Sequence, residues 1–161
     1  SVGLEFNPAD KSLWFTDNQT DGMGDDIPSG EINRATKPGM FFGYPWRQGK
    51  TRMTDEGYDK DPLPPNITDP QVYMEAHAAD LGMSFYTGER FPGWRGNLFV
   101  GSLKFQMLAR LELDGEKIVK EERLIADAIG RIRDVRTGPD GNLYLLTDAG
   151  DGVLARIEPA R

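Results

Sequence analysis

Short apolar runs recur along the chain, separated by clusters of Pro, Asp, Asn and Gly. Met107-Leu108-Ala109-Arg110-Leu111 and Val153-Leu154-Ala155-Arg156-Ile157 alternate apolar with polar residues, the period of a half-buried strand. Asp114-Gly115 closes a hairpin toward Lys117-Ile118-Val119. Glu121 to Ala128 has room for a turn or two of helix but reads as an outer strand and loop. Little else in the chain has a helical period.

Two segments repeat one another. Leu4 to Asp17 and Val135 to Asp148 each read as a short strand, a turn containing Pro and Asp, an apolar strand and a closing Thr-Asp. The offset from Pro8 to Thr16 equals that from Pro139 to Thr147. A looser copy begins at Met83-Ser84-Phe85-Tyr86, turns through Gly88, Pro92 and Gly93, and resumes at Asn97-Leu98-Phe99-Val100-Gly101. A further strand follows each copy: Glu31-Ile32-Asn33-Arg34, Met107 to Leu111 and Val153 to Ile157. Strand, turn, strand, loop, strand, repeated, predicts an all-β chain built as a β-propeller, with about three four-stranded antiparallel blades. Residues 1–161 read as one partial propeller domain, with blade repeats starting near residues 4, 83 and 135. A β-sandwich is the alternative, since regularly spaced short strands occur there too. The long irregular stretch from Lys37 to Asp80 is unusual for a compact domain, and such loops are often functional.

Composition narrows the partners. The formal net charge of −7 disfavours nucleic acid, whose phosphates require a basic surface. No run approaches the roughly 20 apolar residues of a bilayer crossing, so a membrane is not expected as a partner. The absence of cysteine excludes disulfides and thiolate zinc sites. Ser1-Val2-Gly3-Leu4-Glu5-Phe6 is neither basic nor a long apolar run, so no signal peptide is visible there. The expectation is an intracellular chain or one lacking an upstream segment.

Arg131-Ile132-Arg133-Asp134-Val135, followed by Pro139-Asp140-Gly141-Asn142-Leu143-Tyr144 and Leu146-Thr147-Asp148, resembles the last part of the soluble aldose dehydrogenases that depend on pyrroloquinoline quinone (PQQ), the glucose/sorbosone dehydrogenase family. Gly30-Glu31-Ile32-Asn33-Arg34 with Phe42-Gly43-Tyr44-Pro45-Trp46 is similar to two further signatures of that family. Leu81-Gly82-Met83-Ser84-Phe85-Tyr86-Thr87-Gly88 resembles its sorbosone branch, and Leu98 to Lys104 the strand that ends in its cofactor lysine. The likeness runs along essentially the whole chain, in family order. It implies the C-terminal half of a six-bladed propeller roughly twice this length. It also implies an oxidoreductase using PQQ and calcium on aldose sugars, in the periplasm or secreted. The family's general-base histidine and an arginine–asparagine pair on the cofactor are expected before Ser1, so no catalytic residue is assigned here.

Arg131 and Arg133 are two apart, which on a strand puts both guanidinium groups on one face. Two such forks suit a ligand with several carboxylates, though most Arg-x-Arg pairs are solvated strand charges. The resemblance implies that Arg131 and Arg133 bind PQQ and that Lys104 lies against it from the neighbouring blade. His77 is the only histidine; the resemblance places it at the substrate mouth as a pocket-wall residue, and otherwise it is a loop histidine. The acidic run Asp17 to Asp26 is not an EF-hand, because Gln19 holds its third position and Pro28 its twelfth. The resemblance assigns calcium to the backbone carbonyls of Gln19 and Thr20, although the family's usual glycine–proline is missing, and a second, structural calcium to Glu31. The other reading is an exposed acidic turn. Tyr44 and Trp46 either stack on a sugar or, the favoured reading, pin the long loop by packing.

Three functions fit these residues. The chain is the cofactor-cradling half of a sugar dehydrogenase with a small-molecule sugar substrate. Or it is a non-catalytic half-propeller whose apolar end faces pair with a missing N-terminal half or a second copy of itself. A lactonase-like propeller hydrolase is the weakest, since it calls for a carboxylate-held metal rather than paired arginines.

Overall fold

The computed structural model describes residues 2–18, 30–53, 60–73 and 80–160. Strands β1 (Leu4–Phe6), β2 (Leu13–Asn18) and β3 (Gly30–Ala35) pair in order. The excursion that follows holds a small hairpin of β4 (Arg47–Gln48) and β5 (Thr51–Arg52), then β6 (Val72–Tyr73), which joins the first sheet beside β3. The second sheet is β7 (Asp80–Phe85), β8 (Leu98–Ser102), β9 (Met107–Asp114) and β10 (Lys117–Leu124). The third is β11 (Ile132–Thr137), β12 (Leu143–Thr147) and β13 (Leu154–Ile157). All strand pairs in these three sheets are antiparallel, and among the described residues the helical content is one short 3₁₀ turn at Pro92–Trp94. The expected all-β blade architecture is therefore present. Two sheets have four strands, and the third has three among the described residues. The stretch read as outer strand and loop is β10 and the connector after it.

The sheets stack face to face in chain order. Trp14 and Ile32 of the first sheet meet Met83, Phe85, Leu98 and Val100 of the second. Phe99 and Leu108, on the second sheet's opposite side, meet Ile132, Val135, Leu143 and Leu145 of the third. Along β8, successive residues thus face alternate neighbours, which requires an unbroken apolar run rather than an apolar–polar alternation. Leu98-Phe99-Val100 supplies it, fully buried.

Hydrogen bonds and close approaches tie sheet to sheet. Thr16 Oγ1 accepts the Gly3 N–H at 2.8 Å and donates to the Leu81 carbonyl at 2.8 Å. Tyr86 Oη donates to the Gly141 carbonyl at 2.6 Å and accepts the Phe91 N–H at 3.0 Å. At Gly101 a Cβ would lie 2.9 Å from both Ile132 Cγ2 and its carbonyl oxygen, so glycine is what lets β8 approach β11.

The equal Pro-to-Thr offset of the two repeats does not survive as a structural equivalence. The turn of the first copy closes from the Asn7 N–H to the Ser12 carbonyl, and that of the last copy from the Gly138 N–H to the Asn142 carbonyl, one residue sooner. In the first sheet Leu4 pairs with Phe15, and in the third Val135 pairs with Leu145. Phe15 therefore corresponds to Leu145, and Thr16 to Leu146 rather than Thr147. The extra turn residue is accommodated by a positive φ of 62° at Lys11, where the shorter turn uses Gly141.

The outer faces of the first and third sheets are apolar and open. Leu4 and Phe6 project from the first, opposite Phe15 and Leu13; Leu146 and Leu154 project as a pair from the third.

Candidate cofactor-binding end of the sheets

Antiparallel connectivity gathers Lys104, Arg131 and Arg133 at one end of the stack. Thr16, near the end of β2, bonds Leu81 at the start of β7. Gly101, near the end of β8, lies against Ile132 at the start of β11, which in turn pairs with Thr147 at the end of β12. That end carries Lys104 on the β8–β9 turn, Arg131 and Arg133 at the entry to β11, and the β12–β13 turn beginning at Asp148.

The Lys104 turn is held from both sides. The Ser102 hydroxyl accepts the Phe105 N–H at 3.3 Å, and the Gln106 carbonyl accepts the Asp127 N–H at 2.9 Å from the connector leading to Arg131. Gln106 adopts a positive φ of 46° to close the turn. Lys104 itself is exposed and has no hydrogen-bond or ion-pair partner among the described residues.

Arg133 sits in a β-bulge. Ile132 pairs with Thr147 and Asp134 with Leu146, leaving Arg133 unmatched. The bulge lets both Ile132 and Val135 point into the core, which strict alternation forbids at a spacing of three, and it turns Arg133 toward solvent. Arg131 precedes β11 and Arg133 lies in its bulge, so regular strand alternation does not align them, yet their side chains converge. Arg131 Nη2 lies 3.0 Å and Arg133 Nη2 2.9 Å from the same oxygen, Oδ2 of Asp148. The Asp148 N–H donates to the Arg131 carbonyl at 2.8 Å, so main chain and side chain both bind this turn to β11. The Arg133 hydrogen bond, reinforced by the charge of Arg131, holds the Asp148 carboxyl below the usual aspartate range. The two arginine side chains remain 53% and 47% exposed, so most of their N–H donors are open to a ligand.

Asp148 escaped the residue-by-residue reading. It was visible only as the last letter of the Thr-Asp that closes the repeat, with nothing to tie it to the arginines. The bulge at Arg133 had no sequence signal either.

Glu31 lies on β3 and is fully buried. Its carboxylate accepts from Asn33 Nδ2 at 3.1 Å and from the Gly49 N–H. Burial raises its carboxyl above the ordinary value, and Asp17, its cross-strand partner, adds to the rise. Among the described residues no group of three or more His, Asp or Glu gathers to hold a metal. Gln19, Thr20 and His77, the candidates for metal and substrate, lie outside the described residues. In the long excursion Trp46 packs edge-on against Phe41 with ring centroids 5.9 Å apart, and Arg47 pairs with Asp69 at 2.7 Å. Trp46 thus packs within the loop, while the Tyr44 ring is half-exposed.

Residues 1–156 match the model of the glucose / sorbosone dehydrogenase family. The aldose sugar dehydrogenase YliI of Escherichia coli (strain K12) is 34% identical over 161 residues, covering 98% of this chain and 41% of the relative. A solved glucose dehydrogenase superposes with a TM-score of 0.82 at 38% identity, over 99% of this chain and 44% of that one. The PQQ-bound aldose sugar dehydrogenase of Streptomyces coelicolor shares the fold, with a TM-score of 0.70 at 22% identity, over 98% of this chain and 42% of that one. This chain spans less than half the length of these proteins. No helix among the described residues is long and apolar enough to cross a membrane. A family match over residues 1–156, and a relative 34% identical over 98% of this chain, agree with the motifs: the chain belongs to the glucose/sorbosone dehydrogenase family.

Proposed function

We propose that this chain is the cofactor-cradling part of a PQQ-dependent dehydrogenase that oxidises aldose sugars at the anomeric carbon. The observation that carries the reading is the pair Arg131 and Arg133, drawn to one Asp148 oxygen while their other donors stay open. Two guanidinium forks plus the exposed ammonium of Lys104 fit an anion with several carboxylates. The bound quinone would supply the two-electron acceptor that protein side chains lack. Arg131 and Arg133 would grip its oxygens and Lys104 would add positive charge from the neighbouring blade. Calcium is proposed at the carbonyls of Gln19 and Thr20, and a second, structural calcium at Glu31. His77 is assigned to the wall of the sugar pocket. A periplasmic or secreted setting is part of the same proposal.

The test is PQQ binding to the full-length protein, followed by quenching of intrinsic fluorescence, with calcium present. Arg133→Ala and Arg131→Ala should each weaken binding about tenfold or more, the worth of one to two charge-assisted hydrogen bonds. Unchanged binding in either variant would sink the assignment.

A second reading concerns partners. The positions that face the next sheet are Trp14 and Thr16 in the first sheet and Phe99 and Gly101 in the second. The corresponding residues of the third sheet, Tyr144 and Leu146, face outward, and Leu146 is 46% exposed. That face is built like an interior one, which supports its being covered by the remaining blades of the whole protein or by a second copy. Light scattering on the 161-residue chain separates the cases: a dimer points to self-pairing, and a soluble, well-packed monomer argues against both.

A further inference from the structure

We propose that Asp148 is a positioning residue for the anion site: it holds Arg131 and Arg133 in register so that a ligand with several carboxylates meets two pre-set forks. The inference rests on the functional reading just given and deepens it.

Two guanidinium groups so near in sequence repel one another, and in water their long side chains sample many rotamers. Here both Nη2 atoms meet a single oxygen, Asp148 Oδ2, at 3.0 and 2.9 Å. One carboxylate therefore offsets the repulsion and fixes the positions of both side-chain ends. The backbone that carries this carboxylate is itself held by hydrogen bonds. The Asp148 N–H donates to the Arg131 carbonyl at 2.8 Å. The turn beyond it is closed by Gly152 N–H to the Ala149 carbonyl at 3.1 Å and by Val153 N–H to Thr147 Oγ1 at 2.9 Å. Asp148 thus belongs to a cross-braced turn, and the arginines are clamped to it rather than it to them. Beneath them Ile132 is fully buried against Gly101, which anchors the backbone between the two arginines. Clamping both forks in advance reduces the rotamer freedom lost when the ligand arrives.

The test turns on a sign. Simple electrostatics says that Asp148 repels a polyanion, so removing it should tighten binding. Positioning says that removing it should weaken binding. The full-length protein is titrated with PQQ, again read by fluorescence quenching, and compared with Asp148→Ala, Asp148→Asn and Arg133→Ala. Asp148→Ala is expected to bind about tenfold more weakly, the size typical of losing a group that orients ligand-binding side chains. Asp148→Asn should fall between, because its amide oxygen still accepts from one guanidinium, and this partial rescue is not expected of a purely structural role. Should Asp148→Ala fail to fold, Asp148→Asn against wild type decides: weaker binding supports positioning. Equal or tighter binding in whichever variant decides overturns it. If wild type does not bind PQQ, or Arg133→Ala binds as well as wild type, the cofactor assignment itself fails. If Arg133→Ala loses binding and Asp148→Ala does not, only the positioning role fails.

Discussion

Gly101→Ala tests how closely the second and third sheets must approach beneath the arginine pair. The added Cβ would lie 2.9 Å from Ile132 Cγ2 and 2.9 Å from the Ile132 carbonyl oxygen. Comfortable contact begins near 3.5 Å, so β11 must retreat by roughly 0.6 Å. Overpacking of this kind costs about 1–3 kcal/mol in a well-packed core. Alanine also restricts the unfolded chain and returns about 0.4–1 kcal/mol. At the middle of both ranges the net expectation is a loss of about 1.3 kcal/mol. Gly93→Ala is the matched control, since nothing lies within 4 Å of its added Cβ and the site has no positive φ. It should be neutral or slightly stabilising. Urea unfolding followed by tryptophan fluorescence reads both. Because Ile132 separates Arg131 from Arg133, Gly101→Ala should also weaken anion binding. A Gly101→Ala protein as stable as wild type, or a shift equal to that of Gly93→Ala, would refute the steric reasoning.

Tyr86→Phe removes the hydroxyl that bridges the Phe91 N–H and the Gly141 carbonyl, and should cost about 1–3 kcal/mol in chemical denaturation; a neutral result would show that water replaces the bridge. Arg110 is nearly buried, with Nε 2.7 Å from Glu122, Nη1 2.7 Å from Asn97 Oδ1, and its head over the Trp94 ring. Arg110→Met keeps the stem but leaves the Asn97 oxygen without its donor, so it should lose about 2–3 kcal/mol, and a loss that vanishes at high salt would reassign the effect to the surface ion pair. For Glu31 the folded-state carboxyl is raised above 4.5, so the native state keeps its proton longer than the unfolded chain. Its contribution is intact below that value and fades as pH rises through the raised one. Glu31→Gln should therefore gain on wild type as pH climbs from about 4 to 8 without calcium; parallel profiles would contradict the sign. Added calcium should narrow the gap if Glu31 is a ligand.

The blade pattern was legible because it is local. Leu98 to Gly101, Met107 to Leu111 and the Asp114-Gly115 hairpin announce themselves within a few residues, and all three are strands or turns in the fold. Register was less legible. The Pro-to-Thr offset suggested that Thr16 and Thr147 correspond, but a turn longer by one residue shifts the strand face, and sequence does not reveal which residue of a turn is the extra one. The Arg131–Arg133 pair stood out in the sequence, but the spacing rule assumed a regular strand, whereas Arg131 precedes β11 and Arg133 lies in its bulge. Its partner was not legible, because Asp148 comes from the next hairpin and only the β11–β12 register brings it alongside. Neither were the bulge at Arg133 and the buried Arg110 triad, since each depends on residues from separate strands. Glu31 stood out by motif, yet its burial beside Gly49 depends on how the long excursion folds back.

The close approaches between sheets have a geometric consequence. They involve the first two strands of each sheet: Gly3 against the Leu81 carbonyl, Gly82 against Asp134, Gly101 against Ile132. A Cβ at Gly82 would come within 2.6 Å of the Asp134 Cα, so β7 and β11 nearly touch. Among the third and fourth strands, β6, β9, β10 and β13 contain no glycine. Sheets pinched along one side and bulky along the other fan like the segments of an orange. The thinness of that pinched side sets the curvature, and curvature sets how many sheets complete a circle. Glycines that look like packing details are therefore the residues that count the blades, and widening any one of them would strain the closure of the whole ring.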